Sequence, residues 1–209
     1  MAVSGLAAAA LAREITMLNL FVFEKFPKLE TERLRMRELF AYDAEPLYEN
    51  LRKPEIAEAV GVTPFPSMAH AQHAIKKYRE RFTKKQSIRW VYTLKSTGDV
   101  IGMGSLQAIT PPHLRAELAY EIDQNYWRQG YGAEAARAIL NFGFSEMKLH
   151  RIEAITEPSN EASRALLEKV GFTYEGTLRA RYFRNGKFLD DSYYGLLVTD
   201  WEALSAGDH

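Results

Sequence analysis

The sequence predicts a single α/β (α+β) domain with a mixed, mostly antiparallel central sheet of about six to seven strands, flanked by about four helices. Segments with an apolar period of two, typical of strands, alternate with segments at helical spacing in the second half of the chain. Two turn signals, Gly98-Asp99 and Asn185-Gly186, are typical of hairpins. Strand–helix–strand units mixed with hairpins require both parallel and antiparallel neighbours within one sheet.

The first predicted strand covers residues 31–39, where Leu34 and Met36 alternate with charged side chains. Asp43 then precedes a short helical pattern, and Ser67 is the predicted N-cap of a longer helix. This second helix places four apolar residues on one face: Ala71, Ile75, Tyr78 and Phe82. The chain therefore enters the domain through one strand and two helices.

A hairpin follows, with strands over 90–94 and 100–106 joined by the Gly98-Asp99 turn. The alternating segment "AELAYEID", residues 116–123, makes the next strand. A glycine-containing turn then leads into a helix that carries apolar residues at positions 136, 139, 140 and 144. This order predicts that a strand is followed, after a short turn, by the N-terminus of a helix.

The last third of the chain supplies a strand, a short helix and a final hairpin. The strand is "HRIEAITE", and the helix in "SNEASRALLEKVGF" is capped by Ser159 or Asn160 and ends before Gly171. Asn185-Gly186 is a strong signal for a two-residue hairpin turn, so its flanks supply the last two strands.

The composition excludes several classes of function. The 27 basic and 27 acidic residues balance, so no overall field favours nucleic acid or an anionic membrane. Without cysteine there is no disulfide, thiolate metal site or cysteine nucleophile. The five histidines form no recognised metal pattern, and no G-x-S-x-G motif of a serine hydrolase occurs. We therefore predict no metal, no nucleic-acid partner and no membrane partner.

Residues 1–30 are predicted to be an N-terminal extension, and residues 31–202 the folded domain. The extension contains an apolar run, "LAAAALA", but no basic segment precedes it, so a signal peptide is disfavoured. Nothing in the sequence approaches the ~18 apolar residues of a membrane span. The predicted location is cytoplasmic.

The stretch "YWRQGYGAEA", residues 126–135, places Gly130 and Gly132 where a strand gives way to a helix. Glycine lets a backbone approach a ligand closely, and the first amides of a helix have no partners within it. These amides and the helix dipole suit a pyrophosphate. The turn lacks the Lys-Ser end of a P-loop and the third glycine of a dinucleotide fingerprint. An ordinary turn remains the alternative.

Four segments together resemble the GNAT superfamily of acyl-CoA-dependent N-acetyltransferases, and within it the ribosomal-protein-alanine N-acetyltransferase group. They are "AELAYEIDQNYW", "RQGYGA", "EPSNEASRALLEKVGF" and "EGTLRARYFRNGKFLDDSYYGLL". The resemblance covers residues 31–201 approximately and implies a single GNAT-like domain. Three positions depart from the superfamily pattern. Trp127 stands where Gln or Arg is usual, Ala119 where glycine is common, and Glu121 where an apolar residue is common.

The resemblance implies acetyl-CoA as co-substrate and a set of residues that bind it. Backbone groups of Ile122 and Asp123 would pair with the pantetheine arm, which enters a gap beside their strand. Asn160 would contact the pantetheine amides, although helix capping alone also explains it. Lys169 would meet the adenosine phosphate or merely favour the helix C-terminus. The pyrophosphate would lie on the turn that comprises Arg128, Gln129, Gly130, Tyr131, Gly132 and Ala133.

The implied chemistry is direct attack of a neutral primary amine on the thioester, so a base must take the amine's proton. Glu117 and Glu121 are the candidates, because residues four apart on a strand share a face. Ser163 matches a position that faces the thioester sulfur and would donate to the departing thiolate. Tyr182 lies near the place where some relatives carry a catalytic carboxylate, but a phenol is a poor base. The two glutamates and Ser163 each also have a simple alternative as a solvated surface residue.

The resemblance leads us to expect acetylation of the N-terminal amine of a protein, such as a ribosomal protein. A small-molecule amine is the alternative acceptor: a polyamine, an aminoglycoside or an amino-acid-like toxin. A non-catalytic acyl-CoA-binding module is a second alternative. Acceptor sites in this superfamily vary in the first helices and the last hairpin, here residues 44–82 and 182–191. Family members often pair, so the resemblance also allows a homodimer.

Overall fold

The computed structural model describes residues 17–59 and 61–207. Within them one sheet of eight strands has the order β1-β2-β3-β4-β5-β6-β8-β7. The strands are β1 (Leu29–Glu30), β2 (Leu34–Arg37), β3 (Ile88–Leu94), β4 (Val100–Thr110), β5 (Arg115–Ile122), β6 (Arg151–Thr156), β7 (Thr173–Arg184) and β8 (Lys187–Leu197). The helices are α1 (Ala44–Leu51), α2 (Pro54–Ala59), α3 (Met68–Thr83), α4 (Tyr131–Ser145), α5 (Glu161–Lys169) and α6 (Val198–Gly207).

The predicted fold class is confirmed: all paired strands are antiparallel except β5 and β6, which are parallel. The described chain exceeds the predicted counts of strands and helices. Strand β1 has two residues and helix α2 has six, which is too short for either to show a hydrophobic period. Helix α6 begins at Val198, directly after β8, so its apolar residues read as a continuation of that strand.

Each face of the sheet covers its own core. On one face Trp90 and Tyr92 of β3 are fully buried in the cluster that contains Ile139 of α4. On the other face Val91 packs in a smaller cluster with Leu47 of α1 and side chains of α3. Successive residues of a strand point to opposite faces, so β3 supplies both clusters. Helices α4 and α5 therefore lie on one side of the sheet, and α1 and α3 on the other.

The described end of the predicted N-terminal extension packs on the domain. The Asn19 backbone N–H donates to the Met147 carbonyl at 2.9 Å. The ring centroids of Phe23 and Phe26 lie 5.2 and 5.0 Å from that of Phe82. The apolar run at residues 6–12 lies outside the described residues. Across the described part of the chain, no helix combines the length and apolar character needed to cross a membrane.

Strands β5 and β6 pair over only three positions, and this feature determines the shape of the site. The pairing runs from Arg115 opposite Arg151 to Glu117 opposite Glu153. Beyond Glu117, strand β5 continues paired to β4 alone, while β6 continues to Thr156 paired to β8 alone. The sheet consequently opens between residues 118–122 of β5 and residues 154–156 of β6.

Candidate active site

The glycine turn at the end of β5 presents unpaired backbone amides. Gly130 caps helix α4 with a φ of +83°, and no side chain caps the helix there. The first amide of this region to find an acceptor is that of Glu134, which donates to the Gly130 carbonyl at 3.1 Å. The N–H groups of residues 128–133 have no acceptor within residues 17–59 and 61–207. They are free for a ligand at the positive end of the helix dipole.

Glycine is required at positions 130 and 132 for different physical reasons. A Cβ at Gly130 would meet only the Arg33 guanidinium at 3.4 Å, so space is not the constraint, but the left-handed φ favours glycine. A Cβ at Gly132 would lie 2.8 Å from Cδ1 of Leu166 in α5. Gly132 therefore permits close packing of α4 on α5, whereas Gly130 sets the conformation of the turn.

Arg33 fixes this turn from the side of the sheet. Its Nη1 donates to the Gln129 carbonyl at 3.0 Å, and its Nε donates to Oε2 of Glu134 at 2.6 Å. The guanidinium also lies 4.2 Å from the centre of the Tyr131 ring. Burial raises the pKa of Glu134, but hydrogen bonds from Thr31 and Arg33 outweigh it and hold that pKa below its usual value. Sequence reasoning did not identify Arg33 or Glu134.

Some backbone groups at the end of β5, where pantetheine is predicted to bind, already have hydrogen-bond partners in the protein. The Asp123 amide donates to Ile101 of β4 at 2.8 Å, and its carboxylate accepts from the Asn125 amide. The Ile122 carbonyl accepts from Nε1 of Trp127 at 2.7 Å. Peptide groups along a strand alternate between its two edges, so those of Ile122 face the opening. The roles of Ile122 and Asp123 in binding pantetheine remain predictions, and the Asp123 amide already has a protein partner.

On the face of the sheet that α4 and α5 cover, Ser163 of α5 contacts Tyr120 of β5. The Ser163 hydroxyl lies 2.9 Å from the Tyr120 hydroxyl, which also approaches the Ser163 carbonyl at 3.3 Å. Burial raises the pKa of Tyr120 to about 12, so the phenol keeps its proton at neutral pH. Asn160, rather than Ser159, caps α5 by accepting from the Ser163 amide at 3.0 Å. Sequence reasoning missed Tyr120, although the strand alternation placed it on the face opposite Glu121.

Glu121 lies on the other face, at a cavity of about 490 Å³ between α1 and the sheet. Its side chain is 7% exposed, and Nδ2 of Asn50 in α1 approaches its Oε1 at 3.4 Å. Burial raises the pKa of Glu121 to about 7, opposed by the positive charge of Arg89 and by the Asn50 hydrogen bond. A carboxylate that titrates near neutral pH within a cavity is suited to take up a proton.

Glu117 shares the face of Glu121 but not its surroundings. It sits at the last paired position of β5 and β6, and its Oε1 accepts from Nε2 of Gln107 at 2.8 Å. Four residues along a strand separate it from Glu121 by roughly 13 Å. The structure thus brings Glu121 to the opening and leaves Glu117 at its closed end, so Glu121 is the better placed base. Both catalytic assignments remain predictions.

Tyr182 binds a carboxylate that sequence reasoning did not single out. Its hydroxyl donates to Oε1 of Glu157 at 2.6 Å, and Arg184 forms an ion pair with the same carboxylate. Burial and the Glu157 hydrogen bond raise the pKa of Tyr182 above its usual value, which makes it a still poorer base. Arg184 also donates to the Glu58 carbonyl at 2.9 Å. The β7–β8 hairpin therefore contacts α2 through Arg184.

Lys169 lies at the last position of α5, on the surface. Its carbonyl accepts from Nη2 of Arg137 in α4 at 3.0 Å, which brings a second cation to the same end of the helix pair. Arg128 is exposed in the turn before Gly130. Both side chains are free to contact phosphate, and both contacts remain predictions.

The free amides before α4, together with the adjoining gap in the sheet, fit a diphosphate that carries a long amide-containing arm. The arm's end would lie between Ser163 on one face and Glu121 on the other. Coenzyme A thioesters have this shape, and a carbonyl delivered there faces a cavity open to a nucleophile. The fold and the site therefore define an acyl-CoA-dependent transferase.

A family model described as an Acetyltransferase (GNAT) domain matches residues 33–173, and the chain belongs to this family. It is 34% identical over 172 residues to the uncharacterized N-acetyltransferase YoaA of Bacillus subtilis (strain 168), covering 82% of this chain and 97% of the relative. The resemblance inferred from the sequence is thereby confirmed. The enzyme is an acyltransferase with acetyl-CoA as co-substrate, and the alternative of a non-catalytic module is set aside.

Two solved structures share the fold. The ribosomal-protein-S5-alanine acetyltransferase of Vibrio fischeri has a TM-score of 0.72 at 23% identity, over 84% of this chain and 98% of its own. The spermidine N-acetyltransferase of Vibrio cholerae, in complex with CoA and spermine, has a TM-score of 0.73 at 22% identity, over 82% and 98%. Proteins named for protein and for small-molecule acceptors are thus both similar in fold to this chain.

Proposed function

We propose that this N-acetyltransferase acetylates the N-terminal amine of a protein, such as a ribosomal protein, presented through the cavity beside Glu121. The observation that carries the proposal is the position of Glu121, at the cavity and on the acceptor face of the opening in the sheet. The sequence resemblance to the ribosomal-protein-alanine group supports the choice of acceptor. A chain terminus can enter a cavity of this size while the rest of the acceptor protein stays outside.

In this proposal the backbone binds the donor. The amides of residues 128–133 hold the pyrophosphate, and Arg33 keeps their turn in place through Gln129 and Glu134. The edge of β5 at Ile122 aligns the pantetheine arm, and Asn160 positions Ser163 by capping α5. Acetyl-CoA itself supplies an activated acetyl group with a leaving thiol whose pKa is near 8.5.

The side chains at the opening move protons. Glu121 accepts a proton from the incoming ammonium, directly or through water, so that a neutral amine faces the thioester. An α-amino group has a pKa of about 8, close to the pKa of about 7 for Glu121, so transfer between them is nearly balanced. The hydroxyl pair of Ser163 and Tyr120 donates to the departing sulfur. Alignment of amine and thioester supplies much of the acceleration.

Thiol release from acetyl-CoA, measured with a panel of acceptors, tests the proposal. The panel contains short peptides with free N-termini, the same peptides with blocked N-termini, and polyamine, aminoglycoside and amino-acid amines. We expect turnover of free peptides and none of blocked ones, with mass spectrometry locating the acetyl group on the α-nitrogen. Turnover confined to the small amines would replace the protein acceptor by a small molecule.

A further inference from the structure

The side chains that line the cavity beside Glu121 carry negative charge and no positive charge, among the described residues. Its lining includes five carboxylates and no lysine, arginine or histidine, within the part of the chain that the structure describes. The carboxylates are Asp43, Glu49, Asp99, Glu121 and Asp123. A cavity lined by one sign of charge concentrates ligands of the opposite sign.

Two of these carboxylates are already neutralised by partners outside the lining. Arg37 pairs with Asp43 at 2.8 Å, and Arg52 pairs with Glu49 at 3.0 Å. The other three, Asp99, Glu121 and Asp123, have no basic side chain within 4.0 Å among residues 17–59 and 61–207. The negative charges of Asp99 and Asp123 are therefore available to a ligand, and that of Glu121 joins them once its carboxyl is ionised.

Asn50 provides a second, independent indication that the cavity binds a ligand with a hydrogen-bond donor. Its side chain lines the cavity and is 5% exposed, yet its Oδ1 has no hydrogen-bond partner in the described residues. Its Nδ2 only approaches Glu121, at 3.4 Å. A buried acceptor without a donor is destabilising, so such atoms are usually satisfied by a ligand or by water. An N–H group entering beside Glu121 would satisfy it.

Glu121 and the two aspartates occupy different parts of the cavity lining. Glu121 is near the end of β5, and Asp123 follows the last residue of that strand, Ile122, so the two are at most roughly 7 Å apart along the backbone. Asp99, in the turn between β3 and β4, and Asp123 both act on Tyr126 through their charge, which places them at the Tyr126 end of the cavity. Burial raises the pKa of Tyr126, and the charges of Asp99 and Asp123 raise it further, which is consistent with a negative field at that end.

We propose that the cavity selects acceptors that carry a second positive charge: the reacting amine beside Glu121 and Asn50, and another cation beside Asp99 and Asp123. This inference rests on the proposed function, whose acceptor site it uses. Two sources share the required chemistry, a peptide N-terminus followed by a basic residue and a short alkyl diamine. Among the described residues, no group of three or more histidine, aspartate or glutamate side chains is arranged to hold a metal ion.

Matched acceptors test the inference. Thiol release is compared for 1,4-diaminobutane against butylamine, and for a peptide with lysine at its second position against the same peptide with alanine there. We expect kcat/KM to be about tenfold higher for the dication of at least one pair, and the ratio to fall as salt screens the charges. Which pair shows the preference identifies the source of the acceptor. Equal use of both members in both pairs would overturn the inference.

Variants at the outer end provide the control. Asp99→Asn should reduce the preference roughly two- to fivefold, as expected for an exposed ion pair, and Asp99→Lys should abolish it. Glu202→Gln, on the exposed surface of α6, removes a charge outside the cavity and should leave the preference unchanged. A preference that survives Asp99→Lys contradicts the assignment.

The inference and the proposed function can fail separately. Calorimetric titration of 1,4-diaminobutane and butylamine into the CoA-saturated protein measures the charge preference without turnover. Absence of thiol release from every acceptor would reject the proposed function, while tighter binding of the diamine would still support the inference. Equal binding of the two amines would reject the inference even if acetylation is observed.

Discussion

The ionisation of Glu121 sets the pH at which its carboxylate can take the amine's proton. Its pKa of about 7 predicts that kcat/KM, expressed per neutral amine, rises with pH and levels off above about 7. Glu121→Gln should remove this limb and lower kcat about 10²- to 10⁴-fold, the usual contribution of a general base. Initial rates of thiol release from pH 5.5 to 9 provide the measurement.

Glu117→Gln is the matched control, because Glu117 lies on the same face but at the closed end of the opening. It should keep the limb near pH 7. If the limb disappeared in Glu117→Gln and persisted in Glu121→Gln, the base assignment would pass to Glu117.

In the proposed function, the hydroxyl of Ser163 acts late, when the thiolate leaves. Ser163→Ala should therefore lower kcat while the dissociation constant of acetyl-CoA stays nearly constant. A thiol with a pKa near 8.5 departs with modest help, so the expected loss is about tenfold. Tyr120→Phe, which removes the other member of the hydroxyl pair, tests whether the phenol supplies the proton. Wild-type rates in Ser163→Ala would leave the serine as a surface residue of α5.

The sequence predicts the position of the turn before α4, but not the side chain that holds it. Gly130 is expected where a strand gives way to a helix, and the structure has it there, with a φ of +83°. The Arg33 side chain that fixes the turn comes from 101 residues before Glu134. No local pattern links two such positions, because sequence periodicity reports the face of one element and not its partner in the fold.

The same distinction explains the other differences from prediction. The last hairpin, predicted from Asn185-Gly186, is confirmed, and both residues adopt the positive φ that its two-residue turn requires. Glu121 and Asn50 are 71 residues apart, and Tyr120 and Ser163 are 43 apart, so their contacts arise from strand order and helix packing. The residue types of the site were predictable, whereas the pairs that tune them required the folded chain.

A substitution at Gly130 tests the turn as an anion-binding element. Gly130→Asp should weaken acetyl-CoA binding at least about tenfold, because a carboxylate would face the pyrophosphate at the same helix terminus. Gly130→Asn is the control, since asparagine is similar in shape, tolerates a positive φ and is uncharged. Isothermal titration with acetyl-CoA measures both dissociation constants. Equal affinities for the Asp and Asn variants would mean that the phosphates bind elsewhere.

Across the whole molecule, the opening in the sheet follows from the strand order. Strand β6 lies between β5 and β8. It pairs with β8 along its whole length but with β5 at only three positions. The β7–β8 hairpin contacts α2 through Arg184 and Glu58, so the last hairpin and the first helices meet on the acceptor side. In the proposed function, donor and acceptor approach the same opening from different elements, so the acceptor elements can vary in sequence without altering the donor site.

The buried carboxyl of Glu121 also links the stability of the whole fold to pH. Its pKa in the folded protein, about 7, exceeds its ordinary value of 4.5, so its contribution to folding is fully present below pH 4.5 and is lost as pH rises through 7. Because one pKa unit corresponds to about 1.36 kcal/mol, the loss approaches roughly 3 kcal/mol at high pH. Glu121→Gln should therefore gain unfolding free energy relative to wild type as pH rises.

Urea unfolding at pH 5 and pH 8.5 measures the difference between the two proteins. The variant's relative free energy of unfolding should increase between these pH values by an amount of this order, whatever the substitution costs at pH 5. Glu117→Gln, which removes a carboxylate from the same strand face at the closed end of the opening, is the matched control. A pH-independent difference for Glu121→Gln would mean that Glu121 is ionised in the folded enzyme throughout this range, and its position in the cavity would then stabilise charge rather than accept a proton.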